Sequence, residues 1–359
     1  MRGKIFDENT TNIEVAVDSQ TDWYPVNWED FDIYGLIRPE ADGILSRRFP
    51  STVAKTVDDA VIALSTYGAG GRILFSTDSP FIALKAEYGF GEVAPVNNHC
   101  FTYGFDLYRT ENGKNIYTGA FRPGRDFDYE TLSAKVNTGN NGQVTDYTLN
   151  MPHFVAVKKL YLGIQKGSFL GRGKHYRNEK PVVFYGSSIT QGSCASRPGN
   201  TYENLICQKY DLDYVNMGLA GRAKGEPSIA EYLSSLDMCM FVSDYDHNAP
   251  SAEHLEKTHY PLYEAVRRNH PDIPYVMIST AEFFANPVGN GARREVIIRS
   301  YEKAKATGDQ NVYFIDGKTL FAGDFAESCT TDSIHPNDLG FYRMADVIGS
   351  TIAKILGIE

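Results

Sequence analysis

The chain has 359 residues, of which 42% are hydrophobic and 22% charged, and its formal net charge is −10. That length exceeds what one hydrophobic core usually holds, so two domains are expected of an otherwise ordinary water-soluble composition. The acidic balance argues against a nucleic-acid partner, which needs clustered Lys and Arg, and no apolar run is long enough for a membrane span or a signal peptide.

Residues 1–175 are read as strands and turns. Arg72–Ser79 and Phe81–Tyr88 are β-prone runs separated by the turn Asp78-Ser79-Pro80. Phe101–Arg109 and Asn115–Phe121 flank Glu111-Asn112-Gly113-Lys114, a hairpin signal. Thr145–Met151 and Phe154–Ile164 add two strands, and Val57–Leu64 is the one stretch with helical periodicity. Many short strands with regular turns predict an all-β sandwich of jelly-roll type. The polar, Gly-containing segment Gly167–Glu179 marks the boundary with a second domain, 176–359.

From Lys180 strands and helices alternate. Strands are predicted at Pro181–Tyr185, Tyr214–Met217, Met238–Ser243, Pro274–Ser279 and Val312–Ile315. Helices are predicted at Thr201–Tyr210, Ser228–Leu236, Ala252–Asn269, Arg293–Ala306 and Pro336–Leu356. The last carries an apolar stripe of Phe341, Met344, Ala345, Ile348, Ile352 and Ile355. Five such units imply a parallel sheet covered on both faces, with ligands beyond the carboxyl ends of its strands.

Four polar loops stand at those ends: Gly186-Ser-Ser-Ile-Thr-Gln-Gly192, Asn216-Met-Gly-Leu-Ala-Gly221, Asp244-Tyr-Asp-His-Asn-Ala-Pro250 and Asp332-Ser-Ile-His-Pro336. They follow strands one, two, three and five and present Ser, Gly, Asn, then Asp and His. The order resembles the four sequence blocks of the SGNH, or GDSL, hydrolases across residues 180–356. The resemblance implies a flavodoxin-like α/β domain with a five-stranded parallel sheet and a serine esterase activity. Carried over, it makes Ser188 the nucleophile, His335 the general base and Asp332 its orienting carboxylate. Backbone N–H groups of Ser188 and Gly221 and the side chain of Asn248 would form the oxyanion hole.

The chemistry needs these residue types. A serine hydroxyl requires a base within hydrogen-bond reach, and the tetrahedral intermediate requires N–H donors around its oxyanion. The first block reads Gly186-Ser187-Ser188 where the family usually has Gly-Asp-Ser, and Ile189-Thr190-Gln191-Gly192 sets the register that selects Ser188. The third block lacks the usual Gly-x-Asn-Asp, so Asp246 and His247 compete with Asn248 as donor. The whole third loop resembles a branch with an N-terminal β-sandwich, comprising bacterial acyl hydrolases and carbohydrate esterases. Arg72–Pro80 and Phe105–Tyr108 resemble that branch's sandwich motifs.

Other residues have plainer readings. The five cysteines are odd in number and lack Cys-x-x-Cys spacing, so neither disulfides nor zinc are expected and a reducing cytoplasm fits. His247, His254 and His259 match no ligand pattern, and a hydrogen-bonded core histidine is expected at 259. Trp23 and Trp28 could stack on sugar rings, but packing is the simpler role. Tyr185 and Thr190 read as packing residues. Glu282–Asn286 is a candidate pocket loop. No cofactor or metal is implied. Three functions follow: an esterase removing short acyl groups, acetyl above all, from a carbohydrate; an esterase or acyltransferase on lipids or small molecules; and a non-catalytic glycan-binding protein.

Overall fold

The computed structural model describes residues 20–92, 94–281 and 286–358. Ten strands precede the α/β half: β1 (Thr21–Pro25), β2 (Asp32–Tyr34), β3 (Arg72–Thr77), β4 (Phe81–Gly91), β5 (Phe105–Glu111), β6 (Lys114–Phe121), β7 (Thr131–Asn137), β8 (Thr145–Asn150), β9 (Val155–Gln165) and β10 (Leu170–Arg172). They form two antiparallel sheets. One has the order β1-β9-β4-β7, and the other β10-β3-β8-β5-β6 with β2 also paired to β3. Alternate residues such as Leu132, Ala134 and Val136 of β7 face Ile73, Phe75, Leu107 and Leu149 in a shared apolar core. This is the expected sandwich.

Local chemistry sets its details. Asn112 and Gly113 both have positive φ, 51° and 75°, so the β5–β6 connection is a two-residue turn matched to strand twist. The strand predicted from Phe101 starts later, at Phe105. Asn98 caps a short helix α3 (His99–Thr102) by accepting from the Phe101 N–H at 2.9 Å, and this local bond overrides the β propensity of Phe101 and Tyr103. Helices α1 (Ser51–Ala54) and α2 (Asp59–Leu64) complete this half, the second shorter than periodicity predicts because Asp58 caps it.

The second half contains β11 (Val182–Gly186), β12 (Tyr214–Gly218), β13 (Met240–Asp244), β14 (Tyr275–Ile278) and β15 (Val312–Ile315) in the parallel order β12-β11-β13-β14-β15. Its helices are α4 (Ser188–Gln191), α5 (Tyr202–Tyr210), α6 (Pro227–Ser234), α7 (Ala252–Asn269), α8 (Pro287–Ala306) and α9 (Asp338–Leu356). This is the flavodoxin-like sheet. Two helix starts in this half differ from expectation by two residues or more. Helix α8 begins at Pro287, because Asn286 accepts from the Gly289 N–H and proline suits the first turn. Helix α9 begins after Pro336, because Asn337 accepts from the N–H groups of Leu339 and Gly340.

The two halves share buried contacts. Phe49, Ala54, Val61, Leu64 and Tyr67 from the first half pack in the same apolar cluster as Val183, Phe184 and Tyr214. Beside it the outer face of the six-stranded sheet presents polar clamps. Arg72 Nη2 lies 2.6 Å from Asp213 Oδ1 and donates to the Tyr214 carbonyl at 2.8 Å, and its guanidinium sits 3.8 Å from the Tyr214 ring centre. Asp106, 0% exposed, lies 2.7 Å from Arg197 and accepts from Gly199 N–H at 2.8 Å and from Asn150 at 2.8 Å. Tyr108 also contacts Arg197 through its hydroxyl. Asp106 and Tyr108 of the resemblance motif Phe105–Tyr108 thus serve the junction between halves. Among the described residues no helix is long and apolar enough to cross a membrane.

Candidate active site

The loop after β11 turns at once into α4, with Ser187 as its cap. The Ser187 hydroxyl accepts from Ile189 N–H at 3.1 Å, while its own N–H donates to Asp244 O at 3.2 Å. The turn is tight because Gly186 has no side chain: a Cβ there would lie 1.9 Å from Thr190 Oγ1 and 2.3 Å from Asp244 O. Ser188 therefore occupies the first helical position, where its N–H has no intrahelical acceptor.

Helix α9 is preceded by a turn that presents the other two predicted residues. His335 Nε2 is 2.9 Å from Ser188 Oγ, and His335 Nδ1 is 2.8 Å from Asp332 Oδ2. The other carboxylate oxygen accepts from the N–H groups of His335 and Ile334 at 2.8 and 3.1 Å. Burial pushes the Asp332 carboxyl up, but those hydrogen bonds and the imidazole outweigh it, and the net shift is below the usual value. The turn closes through Thr331 N–H to His335 O at 2.9 Å, with Ser333 at φ 70°. Ser188 and the Asp332–His335 pair, more than 140 positions apart in sequence, thus form one hydrogen-bonded line from carboxylate to hydroxyl.

The remaining predicted residues lie on two neighbouring loops. Gly221 has φ 68°, and a Cβ added there would meet nothing within 4 Å, so backbone conformation rather than crowding calls for glycine. Among the described residues nothing accepts from its N–H. Asn248 Nδ2 donates to Leu219 O at 3.0 Å, which ties the third loop to the second and leaves its other hydrogen available. Its rival Asp246 is turned away: Oδ2 accepts from Thr280 N–H at 3.0 Å.

The minor expectations also have places. Tyr185 is buried and its hydroxyl accepts from Gly225 N–H at 3.0 Å; Thr190 is buried beside Asp244 and Tyr202. His259 is a core histidine stacked 5.8 Å from Tyr245, but its Nδ1 has no hydrogen-bond partner among the described residues, contrary to expectation. Its burial pushes the imidazole down to about 4. His254 Nε2 bonds to Lys224 O at 2.9 Å. Trp23 packs over Gly163 and beneath Lys85, and Trp28 packs against the sandwich core. All five cysteines are free thiols. Of the candidate pocket loop, Glu282–Ala285 lie outside the described residues, and Asn286 is the α8 cap. Sequence reasoning did not single out Gln191, Arg48 or His153 as site residues, although all three are buried against the loops just described. The polar side chain of Gln191, one turn after Ser188, was the available signal.

A flavodoxin-like sheet with Ser, His and Asp aligned at its carboxyl edge, fused to a β-sandwich, defines a two-domain carboxylic ester hydrolase. Residues 179–353 match the GDSL-like lipase/acylhydrolase family, and residues 21–170 match the GxDLY family, "N-terminus of Esterase_SGNH_hydro-type". A GDSL-like lipase from Bacteroides ovatus ATCC 8483 is similar in structure at 28% identity and TM-score 0.85, covering 94% of this chain and 99% of that one. A salicylyl-acyltransferase from a tetracycline biosynthetic pathway shares the fold at 18% identity and TM-score 0.76, with 94% and 99% covered. So does an acetyl xylan esterase from the rumen bacterium Butyrivibrio proteoclasticus, at 14% identity and TM-score 0.56, again with 94% and 99% covered. No curated protein matches the chain.

Proposed function

We propose that the protein hydrolyses short-chain esters, acetyl esters of carbohydrates above all, through a Ser188–His335–Asp332 triad and an acyl-enzyme. The observation that carries the reading is the 2.9 Å contact between Ser188 Oγ and His335 Nε2. In this reading His335 takes the Ser188 proton as Oγ attacks the ester carbonyl, then gives it to the leaving alcohol. Asp332 keeps the proton on Nδ1 and stabilises the imidazolium. The N–H groups of Ser188 and Gly221 and the amide of Asn248 receive the charge on the carbonyl oxygen. Water, activated by His335, then releases the acid and frees Ser188.

The carbohydrate substrate is supported by the shared fold with an acetyl xylan esterase. The shared fold with a salicylyl-acyltransferase supports a second reading, in which an alcohol rather than water takes the acyl group. We divide the chain near residue 175, with residues 49–67 reaching from the sandwich half into the hydrolase core, and place it in a reducing compartment such as the cytoplasm, in keeping with its five free thiols.

A panel of p-nitrophenyl esters and acetylated oligosaccharides tests the reading with the wild type and Ser188→Ala. Turnover that falls steeply beyond acetate and vanishes in the variant supports it. Equal turnover of long acyl chains removes the acetyl preference, and normal turnover by the variant removes the triad. Transfer of acyl groups to an added alcohol in preference to water selects the second reading.

A further inference from the structure

The loop that carries Gly221 is held from the sandwich side by residues outside the triad and its donors. Gln191, 0% exposed, points its amide into the gap between the two halves. Its Oε1 accepts from Ala220 N–H at 3.0 Å, and its Nε2 donates to His153 O at 3.1 Å. His153 closes the ring: its Nδ1 donates to Gln191 O at 2.8 Å, and its Nε2 accepts from Gly70 N–H at 3.4 Å. Burial pushes this imidazole down to about 3, so it stays neutral with its proton on Nδ1, and the ring of bonds fixes the Gln191 amide orientation.

A second tie comes from Arg48, fully buried on the first half. Nη1 donates to Asn216 O and Gly218 O, both at 2.9 Å, while Nε and Nη2 donate to Tyr67 O and Leu64 O at 2.8 Å. Burial pushes the guanidinium down to about 9, which leaves it charged at neutral pH. All four acceptors are backbone carbonyls, and two belong to β12, the edge strand of the parallel sheet that leads into the Gly221 loop. The Leu219–Ala220 peptide is thus pinned at both ends. Its N–H meets Gln191, and its carbonyl accepts from Arg222 N–H at 2.9 Å, Ala223 N–H at 3.0 Å and Asn248 at 3.0 Å.

We infer that Gln191 and Arg48 are positioning residues for ester hydrolysis: through them the sandwich fixes the direction of the Gly221 N–H, and so forms part of the catalytic apparatus rather than an appended binding module. The inference rests on the proposed oxyanion role of Gly221. Its physical basis is that a donor stabilises the transition state only when held in place beforehand, and a misplacement of about 1 Å can cost up to ~100-fold in rate.

The test uses full-length Gln191→Met, which keeps the side-chain length and removes both hydrogen bonds, with Arg48→Lys as companion. Phenyl acetate kinetics are measured per active site titrated with a fluorophosphonate, alongside the inhibition constant of a phenylboronic acid that forms a tetrahedral adduct. We expect kcat to fall roughly 10- to 100-fold, KM to stay within about twofold, and boronate affinity to weaken in step with kcat. A purely structural role would lower thermal stability and leave kcat per titrated site and boronate affinity unchanged. That outcome in Gln191→Met overturns the inference, whatever Arg48→Lys does to folding. A wild type that neither hydrolyses phenyl acetate nor reacts with the phosphonate overturns the esterase reading and this inference with it. An active wild type with an unaffected Gln191→Met overturns this inference alone.

Discussion

Asp106 on β5 and Arg197 on the loop before α5 form a partly buried ion pair at 2.7 Å between the two halves. Asp106 is 0% exposed, and its burial pushes the carboxyl up despite Arg197 and two hydrogen bonds that pull it down. Arg197→Met leaves that carboxylate buried without its cation, which typically costs about 3–5 kcal/mol. Urea unfolding of the variant should show a loss of that order. Asp106→Asn combined with Arg197→Met should recover part of it, because no uncompensated charge then remains. Equal losses in the single and double variants would contradict the coupling.

Ser188→Ala is expected to lower kcat by roughly four to six orders of magnitude, by analogy with other serine triads. Ser187→Ala should behave differently. Its hydroxyl caps α4 rather than facing His335, so the expected cost is about 1 kcal/mol of stability with a much smaller change in kcat. Steady-state kinetics with thermal melts of both variants separates the two serines.

Asp332→Asn keeps an oxygen for the N–H groups of Ile334 and His335 but presents an amide to His335 Nδ1. That favours the tautomer with its proton on the Ser188 side. A fall in kcat of about 10⁴ is expected, as for the equivalent change in serine proteases, with little change in KM. Wild-type kcat in this variant would show that the carboxylate does not set the imidazole's role.

Asn248→Ala removes one candidate oxyanion donor and the tie to Leu219 O. The expected loss is about 10²-fold in kcat, toward the lower end for such donors. Asn248→Asp should be at least as damaging, because a carboxylate replaces the donor and repels the developing charge. Full activity of either variant on phenyl acetate would reassign the donor.

His259 sets a pH dependence of stability. Its folded pKa, about 4, lies below the usual histidine value near 6.5, so at pH above 6.5 both folded and unfolded forms are neutral and nothing is lost. As pH falls below 6.5 the unfolded chain takes up a proton that the folded core refuses, and stability drops by about 2 kcal/mol at pH 5. His259→Phe keeps a ring against Tyr245 without titrating. The difference in urea midpoint between pH 7 and pH 5 should therefore shrink in this variant, and an unchanged difference would exclude His259 as a source.

The sequence by itself determined the alternation that builds both halves and the four loops that carry the site. Hydrophobic period and turn residues act over a few positions, so β13, the hairpin at Asn112-Gly113 and the apolar stripe of α9 follow from neighbours in the chain. A parallel sheet delivers successive strand ends to one edge, which located the loops, and their resemblance to the SGNH sequence blocks then named Ser188, His335, Asp332, Gly221 and Asn248 as candidates. Short caps such as Asn98 and Asn286 moved element boundaries, since one side-chain hydrogen bond to the backbone outweighs small differences in propensity. Only the tertiary structure decided what Arg48, Gln191, His153 and Asp106 do. Their partners lie tens to hundreds of residues away and are mostly backbone atoms, which every residue possesses and no sequence pattern marks. A buried arginine gathering four carbonyls becomes legible only once the chain has brought those carbonyls together.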